Sequence, residues 1–127
     1  MEPNKIENDI VEKARELVDE YGAEFLVELI GDFLDDAVVR LVRLRESLAA
    51  GDAESLTHEA HTLKSSSASL GALTLSAMAK QLESAGREGE IASLAVDLAR
   101  FEEQFALVKA DLEKLRNAPE EFIAQER

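Results

Sequence analysis

The stretch AEFLVELIGDFLDDAVVRLVRLRESLAAGD, residues 23–52, decides the fold class of this chain. Its apolar residues recur every three or four positions, the period of an amphipathic helix; they are Phe25, Leu29, Phe33, Ala37, Leu41, Leu44 and Leu48. Gly51 supplies a C-terminal stop, and Asp52 has a side chain suited to cap the next helix. At about 1.5 Å per residue the helix that begins at Ala23 and ends before Gly51 is roughly 40 Å long, a length typical of helical bundles.

Stripes with the same spacing indicate helices on both sides of this stretch. Upstream, a helix is predicted over about residues 5–20, ending before Gly22. Downstream, the pattern predicts helices that run from Asp52 to near Gly71, from there to Gly86, and from about Leu94 to just before Pro119. No segment alternates apolar and polar residues over the length of a strand. The predicted fold class is therefore all-α.

The connections between the predicted helices are short, which favours neighbouring helices in antiparallel order. We therefore expect an up-down antiparallel four-helix bundle over about residues 22–117, with an additional N-terminal helix. A length of 127 residues corresponds to a single domain. Residues 118–127 form a tail that we expect to pack loosely.

Composition excludes several classes of function. The 14 Lys and Arg residues against 27 Asp and Glu residues give a net charge of −13, which opposes binding to nucleic acid or to an anionic membrane. The absence of cysteine excludes disulfides and thiolate metal sites. Neither a signal peptide nor a membrane-spanning apolar run is evident. We expect a cytoplasmic monomer whose partners are proteins.

The two histidines, His58 and His61, both lie in the third predicted helix. Their spacing of three differs from the spacing of four in zinc-protease helices, and no third ligand can be named. A di-iron bundle requires Glu-x-x-His repeats on separate helices, which this chain lacks. We therefore expect neither a metal site nor a cofactor.

His61 is predicted to face solvent, because Leu63, two residues further, belongs to the core stripe. Lys64, Ser65 and Ala68 follow on the same ridge of the helix. Two interpretations remain open at this point. One is a solvated helix face with an incidental histidine. The other is a reachable imidazole that accepts a phosphoryl group, with the Lys64 ammonium balancing the charge it gains.

The segment AHTLKSSSASLGA, residues 60–72, resembles the signature of histidine-containing phosphotransfer (HPt) domains, H-x-L-K-G-S-S-x-x-L-G-A. The order of helices around it is also similar to that family over about residues 5–117. The resemblance implies that His61 is phosphorylated and that Lys64 stabilises the phosphate. It also implies that the apolar and glycine positions of the motif are structural. Ser65 departs from the signature, because the family commonly has glycine there.

The resemblance further implies a phosphorelay. His61 takes a phosphoryl group from a receiver-domain aspartyl phosphate in two-component signalling and passes it to another receiver-domain aspartate. The receiver supplies Mg²⁺, and a hybrid histidine kinase is a further candidate partner. No nucleotide-binding motif is present, so we expect neither kinase activity nor an enzyme in its own right. The alternative is a helical adaptor or inhibitor that is never phosphorylated.

The expected docking surface surrounds His61 and includes Thr57, His58, Ser65 and Ala68. Ser67 and a cluster of arginines can be explained by contacts with nearby residues of the bundle. Ser67 lies on the core stripe, where its hydroxyl is expected to bond the carbonyl four residues back. The basic cluster Arg40, Arg43 and Arg45 is expected to form ion pairs on a solvated face, with partner docking as the alternative.

Overall fold

A computed structural model of the chain describes residues 6–125, and this range is folded into helices without any strand. The helices are α1 (Asn8–Tyr21), α2 (Ala23–Ala50), α3 (Ala53–Ser69), α4 (Leu73–Glu88), α5 (Ile91–Asn117) and α6 (Pro119–Gln125). Asp52 caps α3 as predicted, since its carboxylate accepts a hydrogen bond from the Ser55 backbone N–H at 3.1 Å. None of the helices in this range is long and apolar enough to cross a membrane.

Helices α2 to α5 form the predicted up-down four-helix bundle. Each packs against two others, α2 on α3 and α5, and α4 on α3 and α5. Helices α2 and α5 have 28 and 27 residues, whereas α3 and α4 have 17 and 16. Helix α1 packs on α2 and on α6. The predicted all-α architecture with an additional N-terminal helix is confirmed.

Helix α1 also lies against the turn between α3 and α4. A Cβ atom on Gly71 would lie 2.4 Å from the Asp9 carbonyl oxygen and 2.7 Å from the Lys13 Cβ. Gly71 also has φ +76°, in the left-handed region that favours glycine. The glycine of the motif therefore allows α1 to approach the turn that follows α3.

The predictions differ from the structure at two helix boundaries and in the C-terminal tail. The first helix begins at Asn8, and the predicted start at residue 5 lies outside the described residues. Helix α4 continues through Gly86 and ends at Glu88. The described part of the predicted tail is helical, because Pro119 opens α6, and the partly buried Phe122 packs against the core. Residues 126–127 and the side chain of Ile123 lie outside the described part.

The core stripe of α2 is displaced at its N-terminal end. Leu26 and Ile30 are fully buried, whereas Phe25 is 39% exposed and its ring lies 4.7 Å from that of Tyr21. The predicted stripe began at Phe25 and advanced in steps of four. Each such step turns the helix by about 400°, so the stripe drifts by about 40° per step and leaves the buried face.

Helices α3 and α4 approach closely where Gly86 meets Thr57. A Cβ atom on Gly86 would lie 2.3 Å from the Thr57 Oγ1 and 3.2 Å from a methyl carbon of Leu56. Gly86 is therefore a packing residue inside α4 and not the helix terminator that the sequence suggests. The C-terminal turn of α4, with Arg87 in it, is held against α3 as a result.

We expect Gly86→Ala to destabilise the fold by about 1–3 kcal/mol, because overpacking outweighs the gain in helix propensity. The double variant Gly86→Ala with Thr57→Ala removes the clashing hydroxyl and is expected to recover most of that loss. Thermal and urea unfolding of the three variants, including Thr57→Ala alone, measure the coupling. Equal stability of Gly86→Ala and the parent would contradict this account.

Candidate functional site

His61 lies near the middle of α3, and its side chain is 54% exposed. Leu63, two positions further, is fully buried, so the core stripe turns the imidazole outwards as expected. The Lys64 side chain follows one turn later and is 30% exposed. The bundle therefore presents an imidazole and an ammonium group together on its surface.

A buried carboxylate lies beneath these two side chains. Glu83 of α4 is only 2% exposed, and its oxygens contact three groups. The His61 Nδ1 lies 2.6 Å from Oε2, the Lys64 Nζ donates to Oε1 at 2.8 Å, and an Arg87 guanidinium nitrogen donates to Oε2 at 2.8 Å. Glu83 therefore joins α3 to α4 directly under the candidate histidine.

The protonation state of Glu83 determines which imidazole nitrogen is free. The hydrogen bond from Lys64 holds the pKa of the Glu83 carboxyl below its usual value, with further contributions from His61 and Arg87, although burial acts in the opposite direction. An ionised carboxylate can only accept hydrogen bonds. The proton of a neutral His61 must then reside on Nδ1, which leaves the lone pair on Nε2.

This arrangement is suited to nucleophilic chemistry at one nitrogen. A neutral imidazole is a nucleophile near pH 7, and Glu83 fixes both its tautomer and its ring orientation. The guanidinium of Arg87, whose side chain is 66% exposed, adds a second cation beside Lys64. Two positive charges and one oriented nucleophile form a site that fits a phosphoryl group.

The predicted docking residues do not all lie on the surface. His58, Ser65 and Ala68 are exposed, whereas Thr57 is half-buried because its side chain faces Gly86. The exposed ridge that the sequence suggested is therefore shorter than expected at its N-terminal end. The Ser65 hydroxyl donates to the His61 carbonyl oxygen at 3.4 Å and remains close to the helix backbone.

The basic cluster of α2 is engaged in ion pairs, as expected. Arg40 contacts Asp36 at 2.6 Å and the buried Glu59 at 2.9 Å, and Arg43 lies 3.8 Å from the same Glu59 carboxylate. Arg45 pairs with Glu102 of α5 at 2.8 Å. These contacts join α2 to its two neighbours in the bundle.

The predicted hydrogen bond of Ser67 is wrong. Its hydroxyl oxygen is fully buried and has no hydrogen-bond partner among the described residues. The Leu63 carbonyl, the expected acceptor, receives the Ser66 hydroxyl at 3.4 Å instead. Ser67 thus contributes its small size at the core, at the expense of an unpaired polar atom.

Sequence reasoning missed Glu83 and Arg87. Glu83 lies four residues after Ala79 on the apolar stripe of α4, so a signal for a buried carboxylate was present. Arg87 lies just after Gly86, where the sequence predicts that the helix ends, so it was not expected beside the site. Within the described range, no three His, Asp or Glu residues are grouped closely enough to hold a metal ion.

Comparison with known proteins agrees with the helical bundle described above. The sequence matches the model of the Hpt domain over residues 28–118. The fold is similar to the crystal structure of histidine-containing phosphotransfer protein B (HptB) from Pseudomonas aeruginosa PAO1, with a TM-score of 0.76 and 28% identity. That match covers 92% of this chain and 97% of the other. No curated protein matches the sequence significantly. This chain belongs to the Hpt domain family, and its role is histidine phosphotransfer in two-component signalling.

Proposed function

We propose that His61 is the phosphoacceptor and that it carries a phosphoryl group from one receiver-domain aspartate to another. The observation that carries this proposal is the buried, ionised Glu83 carboxylate on Nδ1, because it leaves Nε2 as the available nucleophile. The HPt signature around His61 supports the same assignment. A cytoplasmic location and a monomeric state remain predictions from the sequence.

The transfer step needs no external base, because no proton has to leave the imidazole. The Nε2 lone pair attacks the phosphorus of the aspartyl phosphate, an Nε2–P bond forms, and the bond from phosphorus to the aspartate oxygen breaks. The aspartate leaves as a carboxylate, and the imidazole ring becomes cationic while it keeps its Nδ1 proton. Glu83 lies against that proton and stabilises the positive ring. The reverse sequence delivers the group to the next aspartate.

Lys64 and Arg87 balance the charge of the bound phosphoryl group. Both are held by Glu83 before phosphorylation, and the half-buried Lys64 and exposed Arg87 side chains can turn from that carboxylate to phosphate oxygens. The receiver is expected to supply Mg²⁺ and most of the stabilisation of the transferring group. The chain contributes a positioned nucleophile and a docking surface, so we do not class it as an enzyme.

The docking surface in this proposal comprises His58, Ser65 and Ala68 around the imidazole, with Thr57 at its partly buried edge. Small side chains at Ser65 and Ala68 let a receiver approach Nε2 closely. The competing function is an adaptor that occupies a partner without phosphorylation. Acid-labile, alkali-stable phosphate on His61 distinguishes the two functions.

His61→Gln is expected to abolish labelling when the protein is mixed with a panel of phosphorylated receiver domains. The helix content measured by circular dichroism should remain unchanged, because the side chain is exposed. His58→Gln changes the docking surface but keeps His61, so this variant should still be labelled. Label that persists in His61→Gln and disappears in His58→Gln would refute the assignment.

Lys64→Ala is expected to slow phosphotransfer by roughly tenfold, the order of one charge-assisted hydrogen bond, without unfolding the protein. Rapid-quench transfer rates and the lifetime of the phosphohistidine measure this effect. Lys109→Ala, which removes an exposed lysine of α5, is the control and should behave like the parent. Unchanged rates and lifetime for Lys64→Ala would make Lys64 an ordinary surface residue.

Glu83→Ala and Glu83→Gln separate the two roles of the carboxylate. In Glu83→Ala, ¹⁵N imidazole NMR should show the His61 proton redistributed between the two nitrogens, because Nδ1 has lost its acceptor. Glu83→Gln keeps an amide oxygen as acceptor, so the tautomer should persist while transfer slows, since the cationic ring loses its counter-charge. Both variants should have the same tautomer as the parent if Glu83 is only structural.

Glu59→Gln is the matched control for these measurements. Glu59 is also a buried, ion-paired carboxylate and lies on the same helix as His61, but it contacts Arg40 and Arg43. It should leave the His61 tautomer unchanged. A shift of the tautomer in Glu59→Gln would indicate a general effect of removing a buried charge.

A further inference from the structure

A recess lies between α2 and α3, on the side of α3 away from Glu83. Its apolar part is formed by Leu29, Phe33 and Leu70, and its volume is about 230 Å³. This volume is below the roughly 300–1,000 Å³ that small-molecule sites occupy, and it is suited to one large side chain. We call it the α2–α3 recess.

The rim of the α2–α3 recess carries negative charge that the protein does not neutralise fully. Asp32 and Asp36 both line it. Asp36 is bound by the Arg40 guanidinium at 2.6 Å. Asp32 is exposed and has no ion pair or hydrogen bond within residues 6–125. An unpaired carboxylate therefore stands beside an apolar opening.

The α2–α3 recess lies within reach of a protein that docks on His61. Ser66 and Ser69 of α3 line the recess, five and eight positions after His61, which corresponds to about 8–12 Å along the helix axis. The exposed surface of α3 between the imidazole and the recess includes only small side chains, such as Ser65 and Ser69. A standard protein interface of about 800 Å² per partner covers both features.

The charges on the two sides of His61 have opposite sign. Lys64 and Arg87 lie towards α4, where they pair with Glu83. Asp32 and Asp36 lie towards α2, where Arg40 pairs with Asp36 and Asp32 remains as the unbalanced charge. A charge distribution of this kind fixes the orientation of a docking partner, because only one orientation places opposite charges together on both sides. The partner must carry acidic groups near the phosphoryl group and a basic group about 10 Å away.

We propose that the α2–α3 recess anchors the receiver domain, and that Asp32 selects receivers with a Lys or Arg next to an exposed apolar side chain. This inference rests on the proposed function of His61. The apolar side chain enters the recess, and the cation pairs with Asp32 at the rim. The acidic phosphorylation pocket of the same receiver then faces Lys64 and Arg87.

A second copy of this chain is a poorer occupant. Each copy has a net charge of −13, so two copies repel one another at the acidic rim. A receiver with a basic surface residue is attracted to the same rim. The sign of the rim charge therefore favours a heterologous partner over self-association.

Asp32→Lys tests the proposal, with Asp35→Lys as its matched control. Both aspartates are exposed on α2 and three positions apart, but only Asp32 lines the recess. The receiver used is the one in the panel that exchanges phosphate with His61 fastest. For Asp32→Lys we expect roughly tenfold weaker binding at low salt, measured by titration calorimetry, and a smaller loss at high salt. Asp35→Lys should change binding less than twofold.

Two further measurements connect the effect to its cause. Replacing the receiver's basic residue by Glu should restore binding to Asp32→Lys, because the charges are exchanged across the interface. Ser69→Trp, which fills the mouth of the recess, should weaken binding without altering phosphorylation of His61 by phosphoramidate, a small donor that needs no docking. Normal labelling by phosphoramidate in every variant shows that the fold and His61 are intact.

Equal losses for Asp32→Lys and Asp35→Lys would overturn the proposal, since the effect would then come from total charge alone. Unchanged binding by Asp32→Lys and Ser69→Trp would also overturn it, while transfer to His61 by the same receiver would leave the proposed function standing. If no receiver in the panel labels His61, the proposed function fails, and the choice of a receiver as occupant fails with it.

Discussion

The site depends on one buried carboxylate. Glu83 lies in the interface between α3 and α4, and a charge in that position is tolerated only when donors surround it. His61, Lys64 and Arg87 supply those donors. The requirement to satisfy Glu83 therefore orients the imidazole, places two cations beside it, and ties together the helices that present them. The same contacts stabilise the interface between α3 and α4 and orient the imidazole for phosphotransfer.

The sequence was sufficient for the architecture because helical periodicity and capping are local signals. The stripe of α2, the turn at Gly51 and the Asp52 cap predicted a long helix followed closely by another, which commits the chain to a bundle. His61 could be placed on the surface in the same way, because its angular position relative to Leu63 depends only on helix geometry. The HPt signature then predicted phosphotransfer as the chemistry of that exposed histidine.

Other features required three-dimensional contacts. Gly86 resembles a helix terminator in sequence, and only its approach to Thr57 shows that it serves helix packing. Glu83 lies on an apolar stripe but is a charged residue, so its burial depends on partners from another helix that no local pattern reveals. The unpaired hydroxyl of Ser67 was also not predictable, because the expected bond to the Leu63 carbonyl is absent and Ser66 contacts that carbonyl. The sequence revealed the helices but not the side-chain contacts between different helices.

The contact between α1 and α6 has a topological consequence. These first and last helices of the described chain meet each other, and α1 also touches the turn at Gly71. His61 lies ten residues before that turn, about 15 Å away along α3. Helices α1 and α6 therefore pack against each other away from the exposed face of α3 that carries the reactive side chain. The first and last described helices thus support each other at a distance from the site, so the α1–α6 contact can stabilise the bundle while access to His61 stays open.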